Sequence, residues 1–234
     1  MQVIGHRGAA ALAPENTWAG FDRALEVGVD AIETDVRATS DGQLVLIHDA
    51  RLDRTTDGQG LVQDAPWSVV QSLDAGTWFD PRFAGARVPR LDETLKRYGS
   101  RVPLVLEIKQ PGVELSALEM VDRLGLLAQV AFTSFDFAAV HRIKAHWPAT
   151  KVGFLTSDIG LSNVQRVIAA GMDQFCPPAD ALTPASVAEW RALGLEVRAW
   201  KVRDLNLMER AILAGVDGMT VDFPHLLLKA LGRA

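Results

Sequence analysis

Ala170-Gly171-Met172-Asp173 and Ala214-Gly215-Val216-Asp217 repeat one junction, and Val27-Gly28-Val29-Asp30 is a third copy. In each, a stretch with helical apolar spacing runs into a glycine, and a short apolar run follows: Gln174–Pro177, Gly218–Asp222 and Ala31–Val36. Glycine suits the left-handed position just past a helix end, so the junction reads as a helix turning into a strand. Further apolar runs predict strands at Gln2–His6, Val102–Lys109, Val130–Ser134, Val152–Thr156 and Val197–Lys201. Helical spacing predicts helices at Thr17–Val27, Phe137–Trp147, Ser162–Ala170, Pro184–Leu193 and Leu205–Ala214. Thr183 followed by Pro184 is a capping threonine with proline in the first turn. Strands alternating with helices imply parallel pairing through right-handed crossovers. About eight such units in 234 residues point to an α/β fold, a (β/α)8 TIM barrel. A doubly wound open sheet is the alternative, and no Gly-x-Gly-x-x-Gly fingerprint supports its dinucleotide-binding form.

One segment breaks the rhythm. Residues from about 50 to 90 carry turn signals at Asp57-Gly58 and Gly60 and the aromatics Trp67, Trp78, Phe79 and Phe83. The segment is too long for an ordinary connection. It reads as an insertion in one barrel domain covering residues 1–234, placed after the second strand and its hairpin-like extension Leu44–His48.

Composition narrows the partners. A net charge of −5 without a lysine or arginine block argues against nucleic-acid binding, which needs a basic face. Cys176 is the single cysteine, so no intramolecular disulfide forms. No basic region followed by an apolar stretch precedes Met1-Gln2-Val3-Ile4, and no apolar run approaches the ~20 residues that span a bilayer. The expectation is a cytoplasmic protein acting on a small molecule.

Carboxylates inside apolar strands are the chemical clue. In Ile32-Glu33-Thr34-Asp35-Val36, two-residue spacing puts Glu33 and Asp35 on one face of a strand. In Leu106-Glu107-Ile108-Lys109, Glu107 and Lys109 share a face. Buried carboxylates need compensation. A hard divalent cation, which prefers oxygen ligands, supplies it; an internal ion-pair network through Lys109 is the other reading. His6 ends the first strand and His48 ends the run Leu44–Ile47. Two histidines at element ends beside such a cluster suit a general base and a general acid, because imidazole titrates near neutrality. The planar fork of Arg7 suits a phosphate. His141 and His146 fall on a helix surface, His225 at the start of the last helix, and Cys176 in a strand, all without an expected role.

The ordered motifs His6-Arg7-Gly8, Pro14-Glu15-Asn16-Thr17, Glu33-Thr34-Asp35-Val36, Asp41-Gly42-Gln43, His48-Asp49, Leu52-Asp53-Arg54-Thr55-Thr56, Leu106-Glu107-Ile108-Lys109, Ala199-Trp200 and Asp222-Phe223-Pro224 span the chain. Together they resemble the glycerophosphodiester phosphodiesterases. The resemblance implies a phosphodiesterase on a TIM barrel that uses one divalent cation, Mg²⁺ or Ca²⁺. It implies His6 and His48 as the acid–base pair and Glu33, Asp35 and Glu107 as metal ligands. Arg7 and Lys109 then lie near the phosphate, and Trp200 lines the pocket. The expected substrate is a deacylated phospholipid such as glycerophosphocholine or glycerophosphoethanolamine. Trp200-Lys201-Val202-Arg203 departs from the family's frequent Trp-Thr-Val-Asn, and Met219-Thr220-Val221-Asp222 from Ile-Ile-Thr-Asp; both bear on substrate choice. A lysophospholipase D activity is the alternative, with an apolar groove built by Trp67, Trp78, Phe79 and Phe83. A non-catalytic binding barrel is disfavoured, because His6, His48, Glu33, Asp35 and Glu107 are all present.

Overall fold

A computed structural model describes residues 1–233. Among the described residues nine strands occur in chain order: β1 (Gln2–Gly5), β2 (Ala31–Ala38), β3 (Leu44–Leu46), β4 (Leu104–Ile108), β5 (Val130–Ser134), β6 (Lys151–Leu155), β7 (Gln174–Cys176), β8 (Glu196–Val202) and β9 (Gly218–Val221). All except β3 pair in parallel, and β1 pairs with both β2 and β9, so eight strands close into a barrel. β3 hangs antiparallel on β2, with Arg37 opposite Val45. Each expected barrel strand is present, with ends shifted by two residues or fewer.

Helices α1 (Trp18–Val27), α3 (Leu91–Tyr98), α4 (Glu114–Arg123), α5 (Phe137–His146), α6 (Leu161–Ala169), α7 (Pro184–Ala192), α8 (Leu205–Ala214) and α9 (Pro224–Ala230) surround the barrel, and the short α2 (Trp67–Val70) belongs to the insertion. The three repeated junctions close as the sequence predicts: Gly28, Gly171 and Gly215 are all left-handed, at φ 89°, 65° and 76°. Thr183 caps α7 and forms a reciprocal box with Ser186. The helices α3 and α4 were not individually foreseen.

Period-two alternation divides each strand between two environments. Residues facing the helices, such as Ile32, Leu104, Leu106, Phe132, Phe175 and Val197, join one large apolar core. Ile4, Ala31, Val105 and Ala131 form a separate buried cluster inside the barrel. The inward face of β2 therefore runs Ala31, Glu33, Asp35, and that of β4 runs Val105, Glu107. The interior is apolar at the strand N-termini and acidic toward their C-terminal ends, where sites on this fold lie.

The insertion has its own small core of Val45, Ile47, Leu52, Val62, Val70, Ala75 and Val88. Full burial of each aliphatic side chain contributes ~1.5–3 kcal/mol, which offsets the entropy of ordering so long a segment. Trp78, Phe79 and Phe83 stack edge to face on one another. Among the described residues, no helix is long and apolar enough to cross a membrane.

Candidate active site

The turn leaving β1 is forced by close packing. A Cβ on Gly5 would sit 2.0 Å from the Gly8 carbonyl oxygen, and one on Gly8 would sit 2.6 Å from the Gly20 backbone. Gly8 also has φ 98°, and Arg7 between them is left-handed at φ 51°. The turn carries His6 and Arg7 onto the barrel mouth. Asn16, left-handed at φ 53°, donates through its backbone N–H to the Arg7 carbonyl. Its side-chain amide donates to Asp35 Oδ2 at 2.8 Å, and its Oδ1 accepts from Thr34 Oγ1. Among the described residues the non-glycine residues at positive φ are Arg7, Asn16 and Lys201, and all three border this site. Such conformations cost ~1–3 kcal/mol each and collect where a site requires them.

Carboxylate oxygens of Glu33, Asp35 and Glu107 lie within 4.8 Å of one another, and all three residues are buried. Arg7 N–H donates to Glu33 Oε2 at 3.0 Å, while Glu33 Oε1 is buried without a partner. Lys109 Nζ stands 2.6 Å from Glu107 and 3.4 Å from Asp35. Arg7 Nε stands 3.2 Å from Asp35 Oδ2. Burial and the neighbouring Asp35 charge push Glu33 above the usual carboxylate range. Burial would raise Asp35 too, but Lys109 and Arg7 hold it low. Three buried carboxylates share two cations, and an oxygen of Glu33 remains free. This all-oxygen donor set could hold a hard divalent metal ion.

His6 and His48 are oriented alike. His6 Nδ1 is hydrogen-bonded to Asp222 Oδ1, and His48 Nδ1 lies 2.6 Å from Asp49 Oδ1. Asp222 and Asp49 are both held below the ordinary range, Asp222 by His6 against its own burial and Asp49 by Arg54 first. Ionised carboxylates only accept, so each histidine donates through Nδ1 and keeps Nε2 for the cavity. Burial depresses the His6 pKa, but Asp222 and Glu33 outweigh it and the net shift is upward; burial dominates at His48, whose pKa is lowered.

His6, Arg7, Glu33, His48, Glu107, Lys109 and Trp200 line one cavity of about 270 Å³ at the mouth of the barrel, and Asp35 lies beneath it. The structure thus assembles all eight residues singled out in the sequence. A bulge in β8 between Ala199 and Val202 places Trp200 and the left-handed Lys201 at the rim. Trp200 packs edge-on against Phe135, with ring centroids 4.7 Å apart. Trp67, Trp78, Phe79 and Phe83 do not line this cavity; Trp67 borders a separate depression with Trp18 and Pro89. These four aromatics therefore add no apolar wall to the cavity that holds the carboxylates and histidines.

The insertion reaches the site through charge instead. Arg54 donates to both oxygens of Glu15 and both oxygens of Asp49, and Glu15 also receives Arg7 Nη1 at 2.8 Å. A continuous run Arg7–Glu15–Arg54–Asp49–His48 therefore crosses the mouth. Sequence reasoning quoted Glu15, Asn16, Asp49, Arg54 and Asp222 within motifs but assigned them nothing. Their adjacency to His6, His48 and Asp35 was the available signal. Phe135 lies in Thr133-Ser134-Phe135, a further family-like motif, without an assigned role, and Arg198, which also lines the cavity, sat in a strand segment with no such signal.

The barrel carries an acidic cluster and two carboxylate-held histidines at its C-terminal mouth, and its fold matches solved phosphodiesterases. A glycerophosphodiester phosphodiesterase from Agrobacterium tumefaciens superposes with a TM-score of 0.88 at 33% identity, over 98% of this chain and 99% of that one. A phosphodiesterase from Oleispira antarctica, solved in complex with the product sn-glycerol-3-phosphate, gives 0.88 at 30% identity over 99% and 97%. A glycerophosphodiester phosphodiesterase of Caldanaerobacter subterraneus subsp. tengcongensis is 37% identical over 99% of this chain and 98% of its own. Residues 6–226 match the glycerophosphoryl diester phosphodiesterase family, and the chain belongs to that family of enzymes.

Proposed function

We propose that the protein hydrolyses glycerophosphodiesters such as glycerophosphocholine and glycerophosphoethanolamine to sn-glycerol 3-phosphate and the free alcohol. The observation that carries this reading is the convergence of two histidines, each with Nδ1 held by a carboxylate, and three buried carboxylates on one cavity. Glu33, Asp35 and Glu107 would hold one divalent cation, Mg²⁺ or Ca²⁺. When bound, the cation polarises a phosphoryl oxygen and acidifies a neighbouring hydroxyl.

The chain's own residues handle the protons. One histidine takes the proton of the glycerol hydroxyl beside the phosphoester as its oxygen attacks phosphorus. The other gives a proton to the departing alcohol as its bond to phosphorus breaks. A cyclic glycerol phosphate results. Water then opens the ring with the two histidines exchanging roles, which leaves each in its starting state. Asp222 and Asp49 keep each imidazole in one tautomer and stabilise its protonated form. Arg7 and Lys109 neutralise the acidic wall and face the phosphate, and Trp200 with Phe135 walls the part of the cavity nearest solvent. Activity is proposed to occur in the cytoplasm.

The test is glycerol 3-phosphate release from glycerophosphocholine after chelation and again after adding Mg²⁺ or Ca²⁺. Release restored by metal supports the reading. A folded protein that releases none under any condition, yet cleaves lysophosphatidylcholine, would move the assignment to a lysophospholipase D.

A further inference from the structure

Arg198, in the middle of β8, is 2% exposed and is the largest fully buried side chain among the described residues. Its Nη1 donates to Thr220 Oγ1 at 2.6 Å. Its Nε and Nη2 are buried without an oxygen or nitrogen acceptor, the Cys176 thiol lies against the guanidinium, and the side chain lines the active-site cavity. Among the described residues it pairs with no carboxylate. Glu196, the acidic residue on its own strand, is occupied by Lys151 and Gln174. The Cys176 thiol is a weak, uncharged acceptor for it, because burial outweighs the pull of Arg198 and pushes the thiol up.

The other cations close to the carboxylates are already engaged. Arg7 is held by Glu15 and Asp35, and Lys109 by Glu107 and Asp35. A buried lysine can shed its proton, but a guanidinium cannot. An enclosed guanidinium without an anion is costly, so the free edge of Arg198 calls for a negatively charged partner. That edge has a specific shape. Nε–H and Nη2–H form the side-on fork of arginine, two parallel donors that match two oxygens of a phosphate. On the strand order, β8 stands across the barrel from β4, which carries Glu107.

We propose that Arg198 is a substrate-binding residue whose Nε and Nη2 grip two oxygens of the phosphoryl group from the wall facing Glu107. The assignment rests on the proposed function. It adds a determinant of affinity for the phosphate-bearing product as well as the substrate. A phosphomonoester carries more negative charge than a diester, so this guanidinium binds the product more strongly than the substrate and contributes to product inhibition.

The test is calorimetric binding of sn-glycerol 3-phosphate, and separately of glycerol, to the Mg²⁺-loaded enzyme and its Arg198→Met and Arg198→Lys variants. Wild type is expected to bind glycerol 3-phosphate, and Arg198→Met to bind it about ten- to a hundredfold more weakly. Arg198→Lys, with the charge but not the fork, should fall between them. Glycerol binding should be little changed. The ligand-free melting temperature of Arg198→Met should hold or rise, because an unpaired buried charge has been removed. Arg198→Lys keeps the experiment decisive if the methionine variant does not fold. Undiminished glycerol 3-phosphate binding in the variants overturns the assignment, as does an equal loss of glycerol and glycerol 3-phosphate. If wild type itself fails to bind glycerol 3-phosphate, the proposed function falls, and the assignment with it.

Discussion

Glu15 and Arg54, 39 positions apart, meet through two hydrogen bonds of 2.8 Å, and that pair joins the turn after β1 to the insertion. Glu15 is held on one side by Arg7, and Arg54 grips Asp49, which in turn orients His48. The insertion's small core thus acts on the site by steering one imidazole. Arg54→Gln should reduce kcat about ten- to a hundredfold, the scale typical of partners that orient functional groups, at a temperature where the variant is still fully folded. A full kcat in the variant, measured on glycerophosphocholine, would detach the insertion from the chemistry.

The same cluster sets an acid limit. Burial would raise Glu15, but its bonds from Arg54 and its pairing with Arg7 lower it, and Asp49 is lowered mainly by Arg54. A depressed carboxylate adds stability that is complete above the unfolded pKa of ~4 and fades as pH falls through the lower folded value. Wild type should therefore exceed Arg54→Gln in stability at pH 7, and the gap should narrow below about pH 4. Melting temperatures of both proteins between pH 3 and 7 check this. A gap that stays constant across the range refutes the linkage.

His6→Ala and His48→Ala should each lose about 10²–10⁴-fold in turnover. Both should still bind the cation, because Glu33, Asp35 and Glu107 are untouched. Turnover and the metal-induced rise in melting temperature, measured side by side, separate proton transfer from metal binding. Near-normal turnover in either variant removes that histidine from the mechanism.

For the carboxylates the expected signature is reversed. Glu33→Gln keeps size and hydrogen bonding but removes one charge from the cluster. It should abolish most of the melting-temperature gain that Mg²⁺ or Ca²⁺ gives wild type, since a ligand stabilises only in proportion to its affinity. An unchanged metal response would exclude Glu33 as a ligand.

Gly8→Ala adds a methyl group where the Gly20 backbone is 2.6 Å away and φ is 98°. The expected outcome is a loss of at least about 1–3 kcal/mol of stability and of activity, because the His6–Arg7 turn must move. Gly85→Ala, also at positive φ but with no neighbour within 4 Å of the added atom, serves as the control for backbone strain alone. Equal effects at both positions would show that close packing at Gly8 contributes nothing.

Much of this was legible in the chain because its signals are local. Glycine after a helix, apolar runs of strand length and Thr183-Pro184 each depend on near neighbours in sequence, and β1 through β9 follow them within two residues. Glu33 and Asp35 betrayed themselves by their spacing alone. The helices α3 and α4 were less visible. The first directly follows the irregular insertion, and the second buries Glu114 against Arg142 from α5, a partner 28 residues away.

The sequence alone pointed to the barrel and put Glu33 with Asp35, and Glu107 with Lys109, on shared strand faces, since strand period and helix caps are properties of a few consecutive residues. Only the tertiary structure decided which charges are spent and which are free. Arg7 and Lys109 turn out to be neutralised by carboxylates, while Arg198, in the cavity wall, has no carboxylate partner. The physical reason is that electrostatic partnership and burial depend on distance across the closed barrel. That distance is set by how all eight strands register, and no local stretch of sequence contains it.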